Sequence, residues 1–193
     1  VKEGDADVEK KVDIEYTRHG PVVARKDGKA YVFAIPYFDQ FRLADQTWDM
    51  AVAKNLDEMK KALSLQQLMM QNIMVGTVDG DIYYVRVGRV PVRPEGVDHM
   101  RPIAGNASKN DWQGIHSFED LVQITNPPQG YMQNCNVSPQ FLMRDCPLVP
   151  SADAPYLFNG FKGFDKLELA GDNPLHQRAA MCVDLLHDKT RMT

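Results

Sequence analysis

The sequence predicts an α+β fold. Three observations carry that expectation. Asp27-Gly28 and Asp79-Gly80 each sit between runs rich in β-branched and aromatic residues, the pattern of a β-hairpin. Residues 47–64 and the stretch opening at Pro174 carry helix signals instead. Strands and helices are mixed along the chain, without repeats or low-complexity linkers.

Taken in order, VEKKVDIEYT (8–17) alternates apolar Val8, Val12, Ile14 and Tyr16 with charged neighbours, which predicts a half-exposed strand. PVVARKDGKAYVFAIP forms the first hairpin. A short helix near TWDMAVAK and a second one, LDEMKKAL, follow, with Asn55 and Glu58 spaced as a capping box between them. The second hairpin is predicted from Ile73–Val78 and Ile82–Val87. Residues 88–116, rich in proline and glycine, read as a long irregular surface segment, where binding groups often lie. SFEDLVQI predicts a short helix capped by Ser117. A C-terminal helix has Asn173 as cap, Pro174 in the first position and an apolar stripe of Leu175, Ala179, Cys182 and Leu186.

Bulk properties exclude several classes. Of 193 residues, 22 are Lys or Arg and 26 are Asp or Glu, a net charge of −4. That balance gives no electrostatic basis for binding nucleic acid or an anionic membrane. No apolar run is long enough to span a bilayer. The first residues, VKEGDADVEKKV, lack the apolar stretch of a signal peptide. Three cysteines without a CxxC pair and five scattered histidines offer no metal spacing, although one disulfide plus one free thiol stays open.

GYMQNCNVSP (130–139) stands apart. Gln133, Asn134 and Asn136 surround a cysteine just after a Pro-Pro-Gln-Gly bend. Together with YTRHGPVV (16–23), QN-x(6)-DGDIYYVRVGRVPVR (71–93) and W-Q-G-x(3)-F-x-x-L (112–121), in this order and spacing, the stretch NPPQGYMQNCN (126–136) resembles the β-chain of the penicillin acylase family, which also includes acyl-homoserine lactone acylases. The resemblance implies an N-terminal nucleophile hydrolase, with these residues forming part of a four-layer αββα sandwich. It implies a Ser at the start of a β-chain, cut from a precursor, that attacks an amide carbonyl with its own α-amine as base. The family's oxyanion Asn lies five residues after the Tyr of the Gly-Tyr pair, and counting from Tyr131 gives Asn136. Asn134 is the second choice, as a supporting hydrogen-bonder on the same face of an extended segment. The family's helix Arg precedes a Leu-Leu pair by seven residues, which matches Arg178 before Leu185-Leu186.

The departures shape the remaining expectations. Val1 is no nucleophile, so the resemblance implies that the Ser-bearing part of the β-chain and the α-chain are partners lying outside these residues. Residues 1–193 are then one partial domain, inactive alone and prone to self-association through uncovered faces. No cofactor is expected; calcium stays open for the complete enzyme, with no ligands assignable here. Periplasmic or secreted location follows from the resemblance only. Residues 141–172 make the interval from Asn136 to Arg178 longer than the family pattern.

Other readings stand beside these. Asn136 also suits a loop Asn bonding backbone groups, and Arg178 a helix-edge Arg whose stem covers apolar surface. His19-Gly20 reads as structural, with Gly20 allowing a close backbone approach. Arg86 and Arg93 read as solvated, and Arg89 as a structural ion-pair residue. Asp98-His99 lacks partners for a metal, and Cys135 reads as a packing residue. The alternative to an acylase fragment is a stand-alone binding or oligomerisation module on the same fold.

Overall fold

The computed structural model describes residues 2–98, 101–150, 154–158 and 174–187. These form three antiparallel sheets and three α-helices, an α+β architecture. A small ribbon pairs β1 (Lys2–Glu3) with β2 (Ala6–Asp7). The second sheet has the order β3 (Tyr16–Thr17), β4 (Gly20–Lys26) and β5 (Lys29–Val32). The third has the order β6 (Gln71–Gly76), β7 (Ile82–Val87) and β8 (Gln123–Thr125). Helices α1 (Leu43–Val52) and α2 (Leu56–Leu63) lie between the second and third sheets in sequence; α3 (Pro174–His187) comes last.

The first hairpin turns where the sequence predicts. Asp27 and Gly28 take φ values of 52° and 71°, the left-handed pair that a two-residue turn requires, and Lys26 faces Lys29. Gly20 has φ 141°, and a Cβ there would run into the Phe33 carbonyl oxygen, so this strand start excludes any side chain. His19 bonds the Gly105 carbonyl through Nε2 at 2.8 Å, a structural tie to the irregular segment. The strand expected over 8–17 is a correction: only Tyr16–Thr17 pairs. Val12 and Ile14 stay 69% and 61% exposed. An alternating strand needs a surface to cover its apolar face; Tyr16 meets the Phe38 ring at 5.7 Å between centroids, whereas Val12 and Ile14 are left open to solvent.

α2 begins at the predicted cap. The Asn55 side chain accepts the Glu58 N–H at 2.9 Å, and the Glu58 carboxylate reaches back to the Lys54 N–H at 2.9 Å. α1 starts at Leu43, ahead of the expected helix. The second hairpin closes through a longer loop than expected. Gly76 pairs with Ile82, Thr77 N–H donates to the Asp81 carbonyl at 2.9 Å, and Val78 hangs in water at the tip.

SFEDLVQI is the other correction. The chain makes one turn, with the Asp120 and Leu121 N–H groups donating to the Ser117 and Phe118 carbonyls at 3.3 and 3.2 Å, and then extends as β8 along β7. Pairing on the open edge of β7 outweighs local helix propensity. The described residues of 88–116 are irregular, as expected, apart from a short helical turn at Ser108–Asn110. They still hold a ladder-like contact: Val92 N–H to Gly114 O at 3.0 Å and His116 N–H to Val90 O at 2.9 Å.

β7 is the spine of the core. Tyr83, Tyr84, Val85 and Val87 are fully buried, so the strand is covered on both faces. Leu63 of α2, Val90, Phe118 and Leu121 pack on this cluster. Leu142, Leu157 and Phe158 complete it. Part of the stretch that lengthens the Asn136–Arg178 interval is therefore core material. It also buries arginine: Arg93 lies over the Tyr156 ring at 4.8 Å. Arg86 is half-buried with an unpartnered Nε, and burial pushes its guanidinium down, the reverse of a solvated strand residue. Arg89 is held as expected, donating to Pro36 O at 2.6 Å and lying 3.7 Å from Asp39.

Candidate functional site

The Asn136 turn is built by its neighbouring amides. Gln133 pins the segment down: its N–H donates to Leu142 O at 2.9 Å and its Nε2 to Phe141 O at 2.7 Å. Asn134 shapes the bend, because its Oδ1 accepts the Asn136 N–H at 3.1 Å, an Asx turn. Asn136 then sits at φ 58°, a left-handed position that Asn tolerates better than most residues. The segment is thus a turn and not the extended strand that would put Asn134 and Asn136 on one face. The Asn136 side chain is exposed and makes no hydrogen bond among the described residues. Two amides hold the backbone; the third is left to face outward.

β6 and β7 support the turn from below. Successive strand residues alternate faces, and Asn72 pairs with Arg86 while Met74 pairs with Tyr84, so Asn72 and Tyr84 share a face. The Tyr84 hydroxyl donates to Asn72 Oδ1 at 2.8 Å. Asn72 Nδ2 donates in turn to Asn134 Oδ1 and Val137 O, both at 3.3 Å. Burial pushes the Tyr84 hydroxyl well above its ordinary pKa, so it remains a neutral donor throughout the working range. Tyr84→Phe should lower stability by about 1–2 kcal/mol, because it leaves a half-buried amide oxygen without its donor. A urea melt should show a lower midpoint at an unchanged slope.

α3 closes over the turn. Ala179, Ala180 and Val183 are its buried residues, and Cys182 and Leu186 of the expected stripe are half-buried; Asn173 and the Leu175 side chain lie outside the described residues. The Arg178 guanidinium donates to the Cys135 carbonyl at 3.4 Å, on the peptide that joins Cys135 to Asn136. Arg144 bonds Asp184 at 2.5 Å, and Tyr131 faces His187 at 3.5 Å. Asn136 and Arg178, 42 positions apart in sequence, are therefore neighbours.

A family model for penicillin amidase matches residues 1–193. The chain belongs to the penicillin amidase family. The chain is 32% identical over 142 residues to penicillin G acylase of Escherichia coli, an alignment that covers 73% of it and 15% of the relative. It is 30% identical over 152 residues to penicillin acylase 2 proenzyme of a Pseudomonas species (strain SE83), covering 74% of the chain and 19% of the relative. Among solved structures, the thermostable penicillin G acylase from Alcaligenes faecalis matches with a TM-score of 0.63 at 29% identity, over 71% of this chain and 25% of that one. The chain thus spans a fifth or less of the curated relatives' length.

Sequence reasoning missed two parts of the site. Asn72 was visible only as half of the Gln-Asn pair that opens the second hairpin, and its bond to Tyr84 needed the strand register. The approach of Cys135 to Cys182 needed the packing of α3. Among the described residues no group of three or more His, Cys, Asp or Glu side chains could hold a metal, and His99 lies outside them. An open apolar groove along α1, lined by Phe41, Leu43, Ala44, Thr47, Trp48 and Ala51, shares no residue with the Asn136–Arg178 site.

Proposed function

We propose that this chain is a section of an amide-bond hydrolase of the penicillin acylase type, and that Asn136 supplies an oxyanion donor. One observation carries the reading: of the three amides in GYMQNCN, Asn136 alone keeps its side chain free of hydrogen bonds among the described residues, on a turn fixed from both sides. A neutral amide N–H suits the role because it neither titrates nor competes as a nucleophile. In the proposed reaction a β-chain N-terminal Ser, outside these residues, attacks the carbonyl with its own amine as base. Negative charge develops on the carbonyl oxygen, and Asn136 Nδ2 donates to it. Collapse expels the amine and leaves an acyl-enzyme, which water hydrolyses.

Arg178 acts on position, not on protons. Its bond to the Cys135 carbonyl fixes the peptide that carries Asn136. The partners are the remaining acylase segments. The exposed Phe41 and Trp48 on the α1 groove, 81% and 69% exposed, give them apolar surface to cover. The complete protein would be exported to the periplasm or beyond.

The test is hydrolysis of phenylacetyl and fatty-acyl amides of a chromogenic amine. The complete protein should release the amine and residues 1–193 alone should not exceed buffer. Turnover by the isolated chain, or none by the complete protein on any acyl amide, would overturn the reading.

A further inference from the structure

We propose that Cys135 and Cys182 form a thiol–disulfide modification site that ties α3 to the Asn136 turn. Their sulfurs lie 3.7 Å apart, across 47 positions of sequence. A disulfide needs about 2 Å between sulfurs, so closure requires the two to approach by less than the length of the bond formed. Both side chains are half-buried, reachable by a small reagent, and the proposed hydrolysis uses neither. The third cysteine is engaged elsewhere: Cys146 Sγ donates to Pro139 O at 3.4 Å.

The co-reactant is a low-molecular-weight disulfide. The Cys135 thiolate attacks one of its sulfurs, which forms a mixed disulfide and expels one thiolate. The Cys182 thiolate then attacks the Cys135 sulfur and expels the second. The protein loses two protons and two electrons, and the reagent is reduced to two thiols. Burial and the adjacent Cys182 push the Cys135 thiol up while Arg178 pulls it down, so exchange should accelerate as pH rises through the alkaline range.

The bond would act on the site geometry directly. Cys182 follows Arg178 by one helical turn, and Cys135 provides the carbonyl that Arg178 grips. Oxidation adds a covalent clamp beside the 3.4 Å hydrogen bond between turn and helix.

The experiment treats the complete protein with glutathione disulfide and maps tryptic peptides by mass spectrometry. Cleavage after Arg144 and Arg178 places each cysteine on its own peptide. A Cys135–Cys182 cross-link is expected in the wild-type protein and in Cys146→Ser, and not in Cys135→Ser or Cys182→Ser. The oxidised form should melt a few degrees higher than the reduced form. Glutathione left as a stable adduct on either cysteine, a cross-link through Cys146, or no reaction at pH 9 would overturn the proposal. The readout involves no acylase activity, so it stands or falls apart from the proposed function.

Discussion

Asn136→Ala in the complete protein should lower kcat for the proposed hydrolysis by ~10²–10³-fold and leave KM nearly unchanged, the signature of a donor used mainly in the transition state. The Asn136 side chain makes no hydrogen bond among the described residues, so the loss should not follow from unfolding. Alanine at φ 58° does add backbone strain, of order 1 kcal/mol. Asn136→Gly removes that complication, because glycine accepts the left-handed conformation and still lacks the amide. Both variants should lose activity equally, while only the alanine one melts lower. Asn136→Asp keeps the shape but offers an anionic acceptor in place of a donor, and should be at least as inactive. Near-normal kcat in Asn136→Gly would assign Asn136 to the turn alone.

Leu142→Ala should cost about 2–5 kcal/mol of stability, the range for emptying a fully buried leucine position. Leu142 is 0% exposed and packs in the cluster around β7. Its backbone carbonyl also receives the Gln133 N–H, so a cavity there loosens the seat of the Asn136 turn. Calorimetry or urea unfolding should therefore report a large destabilisation. The folded fraction should also lose some kcat, because a turn with more freedom presents Asn136 less accurately. A loss of stability below about 1 kcal/mol would mean that this stretch is a loose insertion and not part of the core.

What could be read from sequence follows from how local each feature is. The Asp27-Gly28 turn and the Asn55–Glu58 cap are fixed by residues within a few positions of one another, and both form where the pattern puts them. Residues 8–17 and SFEDLVQI show local pattern losing to context. The first stays largely exposed, and the second is drawn into a sheet by the edge of β7. The arginines divide in the same way. Arg89 reads correctly as an ion-pair residue, whereas Arg86 and Arg93 are half-buried, Arg93 over the ring of the distant Tyr156, which no charge pattern reveals.

At the site, Asn136 and Arg178 were reachable only through motif resemblance. Chemistry alone allows a loop Asn and a helix-edge Arg. The structure brings the Arg178 guanidinium to the peptide that carries Asn136, a juxtaposition that neither residue's surroundings in sequence predict. The Asx turn at Asn134 explains the amide-rich string better than the expected extended segment does: one amide bends the chain, one anchors it, and one is left over.

The most direct measurement is the N-terminal sequence and intact mass of each polypeptide in the mature protein isolated from its native host. The account predicts a chain that opens with Ser upstream of Val1 and runs through Asn136 and Arg178, accompanied by a separate α-chain. A single polypeptide that starts at or near Val1, with no Ser-headed species, would contradict it.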